Sequence, residues 1–218
     1  YKKKLWQYLM SKELVKRVLS SIILLPLVFY FLTSGSFLLI LFIVLCFIIT
    51  FYEWNKMSKN KFYKIFGFIF LLFSFYTFYY LSIELFLLIY VILICISTDI
   101  GGYIFGKIFK GPKLTTISPN KTYAGMIGGY LLSLICLIAI VNFIDYSIKT
   151  FQLILITVLL SSVSQAGDII VSYFKRKANI KNTSNLIPGH GGLLDRIDGM
   201  IFAIPTLYII ELTGYVNI

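Results

Sequence analysis

The sequence predicts an all-α, polytopic integral membrane protein of about seven transmembrane helices. Three observations predict it. Of 218 residues, 59% are hydrophobic and only 13% are charged, about half the charged share of an ordinary soluble domain. The mean hydropathy is +0.89. The apolar residues fall into uncharged runs, each close to the roughly 20 residues that a bilayer-crossing helix needs. A soluble globule has nowhere to put so much apolar surface, and a disordered chain would not carry it.

The runs follow one another in order. Val18 to Tyr52 carries no charge. It holds two short spans, divided at Thr33-Ser34-Gly35-Ser36, a composition that suits a turn. The third run is Ile65 to Ile83. The fourth starts after Glu84 and ends at Asp99. The fifth covers Thr122 to Ile144, and the sixth Thr150 to about Phe174. The seventh begins near Leu193 and fades after Glu211. The first run is too long for a cleavable signal, and no small-residue cleavage site follows it. No repeat or linker divides the chain, so residues 1–218 read as one domain.

The net charge of +11 could suggest nucleic acid, but in a membrane protein basic residues first report topology. Lys2, Lys3, Lys4, Lys12, Lys16 and Arg17 precede the first span. Lys56, Lys59, Lys61 and Lys64 lie between the second and third, and Lys107, Lys110, Lys113 and Lys121 between the fourth and fifth. Lys175, Arg176, Lys177, Lys181 and Arg196 lie between the sixth and seventh. Of the 20 basic residues only Lys149 falls on the opposite side. The positive-inside rule then puts the N-terminus in the cytoplasm and the C-terminus outside, with no call for a nucleic-acid partner. Cys46, Cys95 and Cys136 lie in apolar runs without ligand spacing and read as packed free thiols.

The outer connections, Thr33–Ser36, Leu81–Glu84 and Asp145–Lys149, are too short for chemistry. The inner ones, Thr98–Thr122 and Lys175–Gly192, hold the polar residues. Asp168 sits near the inner end of the sixth span, where a carboxylate costs about 2.5–3.5 kcal/mol and marks a functional site by default. Helical spacing sets Gln165, Ser172 and Lys175 on its face; the plain alternative is an ion pair with Lys175 or Arg176. Asp195 and Asp198, three apart, face one way on a helix and repel unless a cation lies between them. Such oxygen donors suit Mg²⁺ shared with phosphate. Pro188-Gly-His190-Gly191-Gly192 reads as a loop whose backbone can approach phosphate. Asp99 lies at the inner membrane edge. Lys107, Lys121 and the nearby glycines read as anion-binding parts, although no Walker pattern is present. Gly125, Gly128 and Gly129 suit close helix packing. Together these point to metal-assisted phosphoryl or nucleotidyl transfer with a lipid-borne substrate.

Ser172-Tyr-Phe-Lys175-Arg176, then Lys181-Asn182, then Pro188-Gly-His190-Gly191-Gly192-Leu-Leu-Asp195-Arg196-Ile-Asp198 resembles the signature of the CDP-diacylglycerol synthase family. Thr98-Asp99-Ile-Gly-Gly-Tyr103-Ile-Phe-Gly106-Lys107, Ser118-Pro-Asn-Lys121-Thr122 and Leu14-Val-Lys-Arg17 extend the similarity over nearly the whole chain. Two positions depart from it: Asn182 replaces the usual Asp, and Tyr123 a common Trp. The resemblance implies transfer of a cytidylyl group from CTP to phosphatidate, releasing pyrophosphate, at an active site facing the cytoplasm of a bacterial inner membrane. It implies Mg²⁺, with or without a second cation, held by Asp168, Asp195 and Asp198. Lys175, Arg176, His190 and Arg196 join these aspartates as catalytic candidates. Asp99, Lys121, Ser172, Lys181, Gly191 and Gly192 are the expected substrate contacts. A monomer and a homodimer both stay open.

The rival from another class is an ion- or proton-coupled transporter using Asp99 and Asp168. It would need polar groups through the full membrane depth, and the outer halves of the spans have no ionisable residue except at their edges. A CDP-alcohol phosphatidyltransferase fits poorly, because Phe202 and Ala203 stand where Ala and Arg are needed. A non-catalytic relative is the third alternative, with Asn182 as its lesion.

Overall fold

The computed structural model describes residues 26, 28–34, 36–141, 150–186 and 191–214. Five helices are long and apolar enough to cross a membrane: α1 (Ser36–Met57), α2 (Lys61–Leu81), α3 (Leu85–Phe109), α4 (Tyr123–Ile140) and α5 (Thr150–Lys177). A short helix, α6 (Leu194–Ile197), leads into the shorter apolar helix α7 (Met200–Leu212). Asp198 and Gly199, between them, keep right-handed helical angles, so the backbone carries on without a full break. The chain is a polytopic membrane protein. The second to sixth expected spans correspond to α1–α5, and the seventh to α6 and α7. The first falls largely outside the described residues, as do the basic residues before it and Asp145–Lys149; residues 26 and 28–33 are helical.

The helix ends differ from those expected. Helix α1 continues through Glu53 to Met57, α3 past Asp99 to Phe109, and α5 to Lys177. A charge ends an apolar run but not a helix, whose hydrogen bonds are internal and can continue beyond the apolar slab. Residues Thr98 to Phe109, expected as loop, are therefore helix. Gly101, Gly102 and Gly106 do not form an anion loop but lie along α3 where it meets α4. A Cβ on Gly101 would strike the Gly128 carbonyl; one on Gly125 would lie 2.7 Å from the Gly102 carbonyl, and one on Gly129 3.1 Å from that of Thr98. Small residues let the two backbones meet, as expected for Gly125, Gly128 and Gly129.

Helices α3, α4, α5 and α7 enclose one apolar core, with Leu88, Val91, Ile94, Leu160 and Leu207 at its centre. Thr98 donates to the Ser161 hydroxyl at 2.9 Å, and the hydroxyls of Tyr90 and Thr157 lie 2.8 Å apart. These pairs satisfy polar groups between α3 and α5 where water is absent. A second core, Trp54, Met57, Leu71, Val171, Leu194 and Ile201, joins α1, α2, α5, α6 and α7. The Trp54 indole donates to the Tyr63 carbonyl at 2.9 Å, fixing the turn between α1 and α2.

Two neighbouring glycines separate packing from propensity. Gly101→Ala should destabilise the detergent-solubilised protein by about 1–3 kcal/mol through overpacking. Gly102→Ala, whose Cβ would lie 3.7 Å from the Gly125 carbonyl, should be neutral or stabilising by up to about 1 kcal/mol. Thermal unfolding of both variants checks the contrast.

Candidate active site

The last turns of α1 and the connections after α3 and α5 lie at one end of the helices. Residues 110–122 fold back on themselves. Gly111 has φ +91°, and Lys113 bridges Thr122 in antiparallel fashion. The Leu114 N–H donates to the Lys121 carbonyl at 2.8 Å, and the Lys121 N–H to that of Ser118 at 3.0 Å. Pro119 occupies the second position of this turn, where its fixed φ suits it. Thr122 then caps α4, accepting from the Gly125 N–H at 3.1 Å. The result aims Lys121 at α5, where its ammonium pairs with Asp168 at 2.5 Å.

This pair lines a cavity of about 330 Å³, together with Asp99, Tyr103, Ser118 and Gln165 among others. Ser172, one turn on from Asp168, donates to its other oxygen at 3.3 Å, as the helical spacing predicts. The alternative pairing of Asp168 with Lys175 or Arg176 is not found. Lys175 is buried and reaches Asp195 at 2.9 Å and Asp198 at 3.8 Å. Arg176 is exposed and donates to the Ile180 carbonyl at 3.0 Å, closing the end of α5.

Asp195 is tied from four directions. One oxygen takes the Lys175 ammonium. The other accepts the N–H groups of Thr183 at 2.8 Å and Gly192 at 2.9 Å, and lies 3.0 Å from the Thr183 hydroxyl. Burial pushes the Asp195 carboxyl up, but Lys175 and the two N–H groups outweigh it and hold the group below its usual range. Gly192, expected to offer its N–H to phosphate, gives it to Asp195 instead. Gly191 has φ +90°, and a Cβ there would lie 2.7 Å from the Asp195 carboxylate; both glycines serve to pack backbone around acid groups.

Glu53, absent from the sequence-derived candidates, stands at the centre of this packing. It is 1% exposed. It accepts from the hydroxyls of Thr183 at 2.9 Å and Ser184 at 2.6 Å, and from the N–H groups of Leu193 at 3.0 Å and Leu194 at 2.8 Å. The signal for it was the one used for Asp168, an acid at the inner end of an apolar run.

Of the expected residues, Asp99, Lys121 and Asp168 share the cavity, while Lys175, Asp195 and Asp198 form the adjoining cluster. The charges of Asp99, Asp168 and Asp198 act on one another, offset by Lys121, Lys175 and Arg196. Arg196 and Lys181 are exposed. His190 and Pro188 lie outside the described residues. Among the described residues no three His, Cys, Asp or Glu side chains converge to cage a metal. The oxygens of Asp195 are already committed. Asp168 and Asp198 retain accepting capacity, and two carboxylates completed by phosphate oxygens are a usual donor set for Mg²⁺. The chemistry of Asp168 and Asp198 thus fits a magnesium ion completed by phosphate oxygens.

Three substitutions test this geometry. Lys175→Met should destabilise the protein by about 3–5 kcal/mol, because two buried carboxylates lose their cation. Lys121→Met should cost about 1 kcal/mol or less, since that pair is a quarter exposed. Asn182, exposed and beside Gly191, should tolerate Asn182→Asp within about 0.5 kcal/mol. Thermal unfolding in detergent measures all three.

The model of the cytidylyltransferase family matches residues 15–84 and 66–213. The chain is 43% identical over 124 residues to the phosphatidate cytidylyltransferase of Staphylococcus haemolyticus (strain JCSC1435), covering 56% of this chain and 48% of that protein. It is likewise 43% identical to that of Staphylococcus aureus (strain COL) and 41% to that of Staphylococcus saprophyticus subsp. saprophyticus, with the same coverage. The chain thus spans about half the length of the curated relatives it matches. With the family's model matched along nearly its whole length, this chain belongs to the cytidylyltransferase family.

Proposed function

We propose that the chain transfers a cytidylyl group from CTP to phosphatidate, giving CDP-diacylglycerol and pyrophosphate. The observation that carries the reading is the cavity where Lys121 meets Asp168. It lies at the end of helices apolar enough to lie in lipid, where a lipid phosphate and a soluble nucleotide could meet. The names of the staphylococcal relatives support the choice of substrates. The split of basic residues supports a bacterial inner-membrane protein whose site faces the cytoplasm.

In this reading a phosphate oxygen of phosphatidate attacks the α-phosphorus of CTP. A new P–O bond forms, the bond to the bridging oxygen breaks, and pyrophosphate leaves. Both reactants are anionic, so the residues must first hold like charges together. Lys121, Lys175 and Arg196 supply positive charge around the cluster, and Ser172 orients Asp168. Asp195 fixes Lys175 and the loop. Asp168 and Asp198 would hold magnesium, which supplies charge neutralisation at the phosphates. A lipid phosphate is already a nucleophile at neutral pH, so no strong base is required. His190 would serve in positioning or phosphate contact. Transport is less well supported, because Asp99 and Asp168 share one cavity at one end of the helices rather than marking a path through them.

The purified protein with phosphatidate, CTP and Mg²⁺ should release pyrophosphate and form the liponucleotide. Asp168→Asn should keep the fold and slow turnover roughly a thousandfold, the equivalent of about 4 kcal/mol at the transition state. An inactive wild-type chain, or an Asp168→Asn variant at full speed, would refute the assignment.

A further inference from the structure

We propose that Glu53 is a positioning residue for this reaction: its buried carboxylate fastens residues 183–184 to residues 193–194 and thereby sets where Asp195 and Asp198 stand. The inference rests on the function proposed above. Each Glu53 oxygen joins the two stretches. Oε2 takes the Thr183 hydroxyl and the Leu194 N–H, while Oε1 takes the Ser184 hydroxyl and the Leu193 N–H. Four donors stand in for the water that a buried carboxylate loses. Gly192 makes the approach possible, since a Cβ there would lie 2.5 Å from Oε1.

The contacts continue from Glu53 to the candidate site. The Thr183 hydroxyl that meets Glu53 also lies 3.0 Å from Asp195, Asp195 holds the Lys175 ammonium at 2.9 Å, and that ammonium lies 3.8 Å from Asp198. Asp195 also follows directly on Leu194, whose N–H Glu53 accepts. A shift at Glu53 is therefore passed to both aspartates by hydrogen bonds and by backbone. Glutamine has nearly the same size but only one accepting oxygen. Its NH₂ can face a hydroxyl, which turns to accept, but it cannot face a backbone N–H. In either amide orientation one of Leu193 and Leu194 loses its acceptor.

The test compares wild type, Glu53→Gln, Thr183→Val and Thr183→Ser as purified full chains in detergent, with CTP, phosphatidate and Mg²⁺. Glu53→Gln and Thr183→Val should lower kcat by about tenfold to a hundredfold, the range expected of misplacement near 1 Å, with KM for CTP within about threefold of wild type. Thr183→Ser, which keeps the hydroxyl, should restore most of the rate. The double variant should be no slower than the worse single one, since both break one chain of contacts. A structural role alone would lower the unfolding temperature and leave kcat of the folded protein unchanged. If Glu53→Gln does not fold, Thr183→Val and Thr183→Ser carry the same readout. A kcat within twofold of wild type in the folded variants, or Thr183→Ser as slow as Thr183→Val, overturns the role of Glu53 alone. A wild-type chain without turnover removes the proposed function and this inference with it.

Discussion

A carboxylate at the end of an apolar helix must be neutralised or saturated with hydrogen bonds, and this constraint organises the end of the molecule where the candidate site lies. Glu53 meets it with two hydroxyls and two backbone N–H groups. Asp195 meets it with Lys175 and backbone donors, and Asp168 with Lys121 and Ser172. Glu53 and Asp195 share the segment after α5, with Thr183 common to both, and Asp168 draws on the segment after α3, so satisfying the acids ties both segments to the helices. The apolar cores place the helices; the acids decide how the segments between them lie.

The acids divide into two kinds. Glu53 and Asp195 have their oxygens committed to donors of the protein itself. Asp168 and Asp198 have fewer partners, Asp168 one on each oxygen and Asp198 the Gly199 N–H and a longer approach from Lys175, and Asp168 lines the cavity. Saturated acids give rigidity, whereas acids with spare lone pairs can accept a cation or respond to a phosphate. Rigid neighbours around less committed groups are the arrangement that preorganised electrostatic catalysis needs.

Much of this was legible in the sequence. Uncharged runs located α1 to α5, and the i+4 spacing of Asp168 and Ser172 predicted their contact. Gly125, Gly128 and Gly129 announced a close helix pair. Helix ends were less legible, because a charge such as Asp99 ends an apolar run without ending the hydrogen-bond ladder. Partners distant in sequence were hidden as well. Nothing local to Asp168 points to Lys121, since that pair depends on the turn at Pro119 and the capping of α4 by Thr122. Glu53 was overlooked because an acid beside Trp54, just ahead of Lys56, looks like a span boundary. Its four donors lie at least 130 positions away.

That distance has a consequence for the order in which the molecule is made. Helix α1 is synthesised and inserted long before α6 exists, so Glu53 must wait at the membrane edge for donors that come near the end of the described chain. Until then water can solvate its charge, and closure must await contacts of very long sequence separation, the slow step in most topologies. The early helices can enter the membrane first, but the stretch bearing Asp195 and Asp198 is tied to Glu53 only once residues 183–194 have been delivered.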